Sequence, residues 1–290
     1  MEAPMRPYTL AALLSTLPCA AHALDLPPVQ YPTLPAQAAT AAGFVPNGWT
    51  LESSIEGDLD QDGRADLVLV LRQQDPRNVI EHDGFGPSPH DSNPRILAVA
   101  WSRPTGYVLA VQDHQLIPRP ENPVMSDPLE EGGVSIQRGT LKVALFSFAS
   151  AGSWSMGTTA FTFRWQDGAF ALIGYDQDSV MRNSGKTESL SVNFSTRKVR
   201  RVEGSIDNDK DSVRWQPLRG TRRWTLQTVG DGWAFDPRPA PMSHGQIAGS
   251  GGCAGPATKH RTQSNHGLDI SVATRQRAAP ADGGVHRTSS

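Results

Sequence analysis

The stretch FTFRWQDGAFALIGY, Phe161–Tyr175, decides the fold class. Phe161, Phe163 and Trp165 alternate with Thr162, Arg164 and Gln166, a period of two that places aromatic and polar side chains on opposite faces of a strand. Asp167-Gly168 follows, a dipeptide that tolerates the positive φ angles of a tight hairpin turn, and a second apolar run begins immediately after it. Working outward, similar runs occupy 66–72 (DLVLVLR), 95–102 (RILAVAWS), 106–113 (GYVLAVQD), 133–139 (GVSIQRG), 140–149 (TLKVALFSFA) and 189–202 (SLSVNFSTRKVRRV). Short turns at Arg103–Gly106 and Arg138–Thr140 join two further pairs. Helical periodicity is weak throughout. The expected fold is therefore mainly β: an antiparallel meander or sandwich, or partial propeller-like sheets.

The two ends differ in texture from this centre. Arg6 precedes YTLAALLSTLPCAAHA (8–23), which closes on Ala21-His22-Ala23. A basic start, a short apolar run and a small-x-small exit read as a signal peptide over 1–23. The run is shorter than the about 20 apolar residues a membrane-spanning helix needs, so no transmembrane segment is expected after signal removal. Pro18 directly before Cys19 is a poor match to a lipidation site, which favours plain cleavage. The expected location is periplasmic or secreted. Residues 24–43 are Pro- and Ala-rich and read as a linker, 44–239 as the β-rich domain, and 240–290, rich in Gly, Ser, Ala and Thr, as a disordered tail. Cys19 leaves with the signal, so the remaining Cys253 has no intramolecular disulfide partner. A formal charge of -2 with mixed signs excludes a nucleic-acid binder of the basic kind. The densest basic spot, TRKVRR at 196–201, reads as one solvated strand face.

One loop carries chemistry. GDLDQDGRAD (57–66) places carboxylates at Asp58, Asp60, Asp62 and Asp66, with Gly63 in sixth position counted from Asp58. Alternating hard oxygen donors, a backbone carbonyl at Arg64 and a glycine at the sharp turn match the positions of an EF-hand-type Ca2+ loop. The twelfth position is Leu69 rather than glutamate, and the exit is a strand, so this is not an EF-hand. Four carboxylates within nine residues repel one another, and a divalent cation turns that repulsion into attraction. A solvated acidic turn is the plainer alternative.

GDLDQDGRADLVLVL (57–71) resembles the calcium loop of FG-GAP/VCBS-type repeats, in which the loop runs directly into a strand. Over Phe44–Trp215 the chain is similar to a group of exported bacterial proteins. The resemblance implies metal ligation by Asp58, Asp60, Asp62 and Asp66. FG-GAP propellers repeat the loop several times, whereas one clear copy occurs in this chain, so a complete propeller is not expected. Asp207, Asp209 and Asp211 repeat the alternation, but Ser212 replaces the glycine and Lys210 intrudes, which reads as a solvated turn.

Catalytic patterns are weaker. His82, Asp83, His90 and Asp91 sit in a long polar loop, EHDGFGPSPHDSNP (81–94), whose spacing matches no zinc pattern. RNSGKTE (182–188) lacks the first glycine of a phosphate loop, and Ser155 lacks the flanking glycines of a nucleophile elbow. Trp101, Trp154, Trp165, Trp215 and Trp224 read as core and edge aromatics before they read as a sugar platform. The leading expectation is a non-enzymatic, calcium-binding β protein with a structural role or an unknown protein or carbohydrate ligand. The competing one is a secreted hydrolase acting on cell-wall or polysaccharide material through the 81–91 loop.

Overall fold

The computed structural model describes residues 24–238, so the expected signal peptide and the tail at 240–290 lie outside the described residues. Strands β1 (Gln37–Ala38), β2 (Trp49–Gly57), β3 (Asp66–Gln73), β4 (Val79–Ile80), β5 (His90–Asp91), β6 (Arg95–Arg103) and β7 (Gly106–Asp113) fill the first half. β8 (Gly133–Gln137), β9 (Thr140–Phe148), β10 (Ser155–Gln166), β11 (Ala169–Met181), β12 (Lys186–Asn193), β13 (Lys198–Ser205) and β14 (Asn208–Pro217) follow, with one helical turn, α1 (Leu226–Val229). The fold is mainly β and antiparallel, and its sheets do not close into a barrel. A five-stranded sheet has the order β1-β7-β6-β3-β2, a seven-stranded sheet is a meander from β14 back to β8, and β4-β5 form a small ribbon.

The hairpin that decides the fold class forms as its sequence dictates. Asp167 and Gly168 both take positive φ (52° and 76°), as a two-residue hairpin turn requires. Phe161 pairs with Tyr175, and a bulge between Thr162 and Phe163 lets Phe163 meet Leu172. Phe161, Phe163, Phe170 and Tyr175 then join Leu141, Val143 and Leu145 beneath Val68, Val70, Leu97, Val99 and Trp101 of the other sheet. This inter-sheet core makes the molecule a sandwich.

A second cluster lies on the opposite face of the five-stranded sheet, where Leu67, Leu69, Leu71, Ile96, Ala98 and Ala100 pack with Leu34 and Phe44. β3 and β6 are therefore buried on both faces, which explains their unbroken aliphatic runs. The segment 24–43 supplies part of this cover, which corrects the expected linker. Leu34 is 3% exposed, and β1 pairs with β7 through Gln37–Val108 and Ala38–Tyr107. Gln112 bonds both the Leu34 N–H (2.9 Å) and the Pro32 carbonyl (3.0 Å). Apolar surface on β3 and β6 needed a lid, and the Pro-rich chain provides one without strand periodicity of its own.

The single run expected at 189–202 is two strands. Asn193 accepts the Thr196 N–H at 2.8 Å, Arg197 takes φ 55°, and the chain reverses so that Val192 pairs with Val199. The acidic stretch expected as a turn is mostly strand: Ile206 and Asp207 make the turn, while Asp209 and Asp211 lie on β14.

Candidate metal-binding loop and neighbouring polar sites

Residues 58–65 connect β2 to β3 where Gly57 pairs with Asp66. Gln61 (φ 63°) and Gly63 (φ 84°) take left-handed backbone, which turns the chain tightly. Asp58 accepts the N–H groups of Asp62 (3.1 Å) and Gly63 (3.0 Å), and Asp60 also accepts that of Asp62 (3.2 Å). Asp66 is fully buried; its two oxygens accept the Leu59 and Ser102 N–H groups, each at 2.9 Å. One carboxylate thus ties the loop to the end of β6. Leu59, between two acidic residues, is 1% exposed and belongs to the inter-sheet core. The loop also rests against the β8–β9 turn: a Cβ at Gly139 would lie 3.5 Å from the Asp58 carbonyl.

Asp58, Asp60 and Asp66 each bring a carboxylate oxygen within 4.8 Å of the others, the one such acidic or His-containing group of three among the described residues that can hold a metal ion. Oxygen ligands at about 2.3–2.6 Å from a Ca2+ ion lie at most roughly 5 Å apart, so this separation fits that ion. Burial, then the charges of Asp66 and Asp62, raise the Asp60 pKa above its ordinary 3.8. Asp62 is not one of the trio: its carboxylate pairs with the Arg64 guanidinium, and Arg103 Nη1 stands 3.6 Å from Asp62 and 3.8 Å from Asp60. Three of the four aspartates singled out by sequence therefore converge, and the fourth faces cations. Arg64 enters the picture through its side chain on Asp62, beside the carbonyl role its position in the pattern assigns.

The 81–91 loop is organised differently. His82 Nε2 lies 2.9 Å from the Pro87 carbonyl, and its Nδ1 accepts the Gly84 N–H at 3.2 Å. His90 is 6% exposed and its Nε2 lies 2.8 Å from the Pro120 carbonyl. A cleft of about 330 Å³ touches His90, Asp91, Asp127 and Glu130 but not His82. The two histidines are thus engaged with separate backbone partners, and they do not share this cleft.

Sequence reasoning missed a buried ionic network beside it. Arg95, 3% exposed, makes a two-pronged bond to Glu52 (2.6 and 2.7 Å) and a third to Asp127 (2.8 Å). Arg72 reaches Asp91 (3.0 Å) and Glu52 (3.7 Å). The sequence signal was an arginine closing one aliphatic run, Arg72, and another opening the next, Arg95. Of the tryptophans, Trp101 and Trp165 pack with Phe170 in the core, Trp224 meets Phe235 edge-on, and Trp154 and Trp215 remain exposed. Among the described residues no helix is long and apolar enough to cross a membrane. No family model, curated protein or solved structure matches the chain.

Proposed function

We propose that this is an exported calcium-binding β-sandwich protein with a structural or ligand-binding role, in which the ion clamps the junction between the 58–65 loop and β3. The carrying observation is the convergence of Asp58, Asp60 and Asp66 on a loop whose one apolar residue, Leu59, is a core side chain. A cation would offset the repulsion among these carboxylates and hold the loop in the conformation that seats Leu59. The D-x-D-x-D-G-x-x-D spacing, the left-handed Gly63 and the resemblance to FG-GAP/VCBS loops all favour calcium. Magnesium, which demands near-octahedral geometry and keeps several waters, suits a carboxylate-rich protein cage less well. The hydrolase reading draws no support from the 81–91 loop, whose histidines are bonded to separate carbonyls.

The test is calorimetric titration of the full chain with Ca2+ and Mg2+, together with thermal melts in EGTA. An ion at about 100 times its Kd stabilises the native state by about 2.7 kcal/mol, which for a domain of this size raises Tm by about 5–10 °C. Asp58→Asn combined with Asp60→Asn should abolish that increment. A melting temperature indifferent to calcium overturns the proposal.

A further inference from the structure

The basic run at 196–201 acquires a setting that its sequence alone did not disclose. β13 and β14 form a hairpin in which Lys198 pairs with Pro217 and Arg200 with Trp215. Residues 197–201 and 214–223 therefore lie at one end. That end carries Arg197, Lys198, Arg200, Arg219, Arg222 and Arg223, while Arg201 and Arg214 are paired with Glu188 and Glu203, each at 3.8 Å. On a chain whose formal charge is -2, this is a marked local excess of positive charge.

The excess borders a cleft of about 580 Å³, with Arg197, Arg222 and Arg223 on its walls, Leu172 and Phe194 among its apolar lining, and Asp167 as its one carboxylate. The arginine-bearing segment is propped in place. Arg197 Nη2 donates to the carbonyls of Leu218 (2.9 Å) and Gly220 (2.6 Å), and the Leu218 N–H returns a bond to the Arg197 carbonyl at 2.9 Å. Trp224 is fixed through its carbonyl, which accepts the Leu172 N–H at 2.9 Å, and the Arg222 guanidinium lies over its ring, 3.4 Å from the centroid. Arg222 and Arg219 form no ion pair among the described residues, and Arg223 reaches Asp167 only at 3.7 Å, both of those side chains being highly exposed. A guanidinium stacked on an indole keeps its in-plane N–H donors free for a carboxylate, and stacking removes much of the flexibility that binding would otherwise have to freeze.

We propose that this cleft binds an anionic saccharide, with Arg222 and Arg223 engaging its carboxylate groups and the apolar floor taking the hydrocarbon face of the sugar rings. The volume falls in the range of ordinary ligand clefts, and three arginines against one carboxylate on its lining favour an anion. A nucleic acid is disfavoured because the Trp224 ring is already engaged, with the Arg222 guanidinium over it and Phe235 in a near-perpendicular contact, 5.0 Å between centroids. The site is built from the seven-stranded sheet and its loops, so it stands independently of the cation loop.

The experiment is titration of the full chain, in EGTA, with an oligogalacturonate, its neutral methyl ester, a single-stranded oligonucleotide and inorganic phosphate. Binding of the oligogalacturonate at least tenfold tighter than of the ester, weakening as NaCl is raised, supports the proposal. So does a loss of tenfold or more in Arg222→Gln with Arg223→Gln at unchanged Tm; both side chains are exposed, so folding is spared. Equal binding of the ester, undiminished binding by the double variant, or tighter binding of the oligonucleotide or of free phosphate overturns it. Failure of the oligogalacturonate to bind does so as well.

Discussion

Replacing Leu59 by alanine tests how far the acidic loop and the core are one structure. Leu59 is 1% exposed and packs within the cluster that spans both sheets. Buried leucine-to-alanine changes cost about 2.7–5 kcal/mol, the larger values where the surroundings cannot collapse into the space. The Leu59 N–H is held by Asp66, and Asp66 is held in turn by Ser102, so backbone on both sides of the cavity is pinned. Collapse is restricted, and we expect a loss of about 3–4 kcal/mol. At about 2–4 °C per kcal/mol for a domain of this size, Tm should fall by about 6–16 °C. Urea melts with and without calcium read both the loss and its coupling to the ion. If the ion holds the loop that seats Leu59, the calcium increment in the variant should differ from that of the wild type, because interacting sites are not additive. A loss below about 1 kcal/mol would refute the packing argument. An unchanged increment would refute the link between loop and core.

Arg95→Met leaves Glu52 and Asp127 without their shared cation. Breaking a buried pair costs about 3–5 kcal/mol, and the lower figure applies because both carboxylates keep partial exposure, 29% and 31%. The midpoint of a urea melt measures this, and adding Glu52→Gln should recover part of the loss. Asp113 gives a pH dependence of unusual sign. Burial raises its pKa above the ordinary 3.8 against the opposing bonds from the Leu116 and Gln115 N–H groups. The folded state therefore holds this proton more tightly than the unfolded chain, and the stability so contributed is present below pH 3.8 and lost as pH rises through the folded pKa. Asp113→Asn, whose Oδ1 can still accept both N–H bonds, should match or exceed wild-type stability at neutral pH. Its stability should also fall less between acidic and neutral pH, read by denaturant melts at each pH.

Local pattern carried most of the strand positions. Period-two alternation around Asp167-Gly168 identified a hairpin that forms with the expected turn, and β7 spans the residues its sequence marks, Gly106–Asp113. Pattern failed where an element owes its form to a neighbour. β14 has ten exposed residues and little strand propensity, and it exists because β13 offers it an edge. The 24–43 segment reads as a linker because its role, covering one face of β3 and β6, is visible only once those strands are paired. In the loop, spacing found the converging Asp58, Asp60 and Asp66, but the pairing of Asp62 with Arg64 and the approach of Arg103, distant in sequence, to both Asp60 and Asp62 are visible only in the fold. The cluster of arginines at 214–223 was equally invisible as a unit until the β13–β14 register placed it beside 197–201.

Among the described residues β14 is the edge strand of the seven-stranded sheet. Such an edge is a template on which other chains can nucleate, and a ten-residue one is long enough to seed fibrillar stacking. The strand's composition works against that outcome. Asp209, Lys210, Asp211 and Arg214 place charges along it, and Pro217 ends it without an N–H to donate. The charged residues of low strand propensity that hid β14 in the sequence are of the kind that disfavours edge-to-edge pairing between copies of a chain.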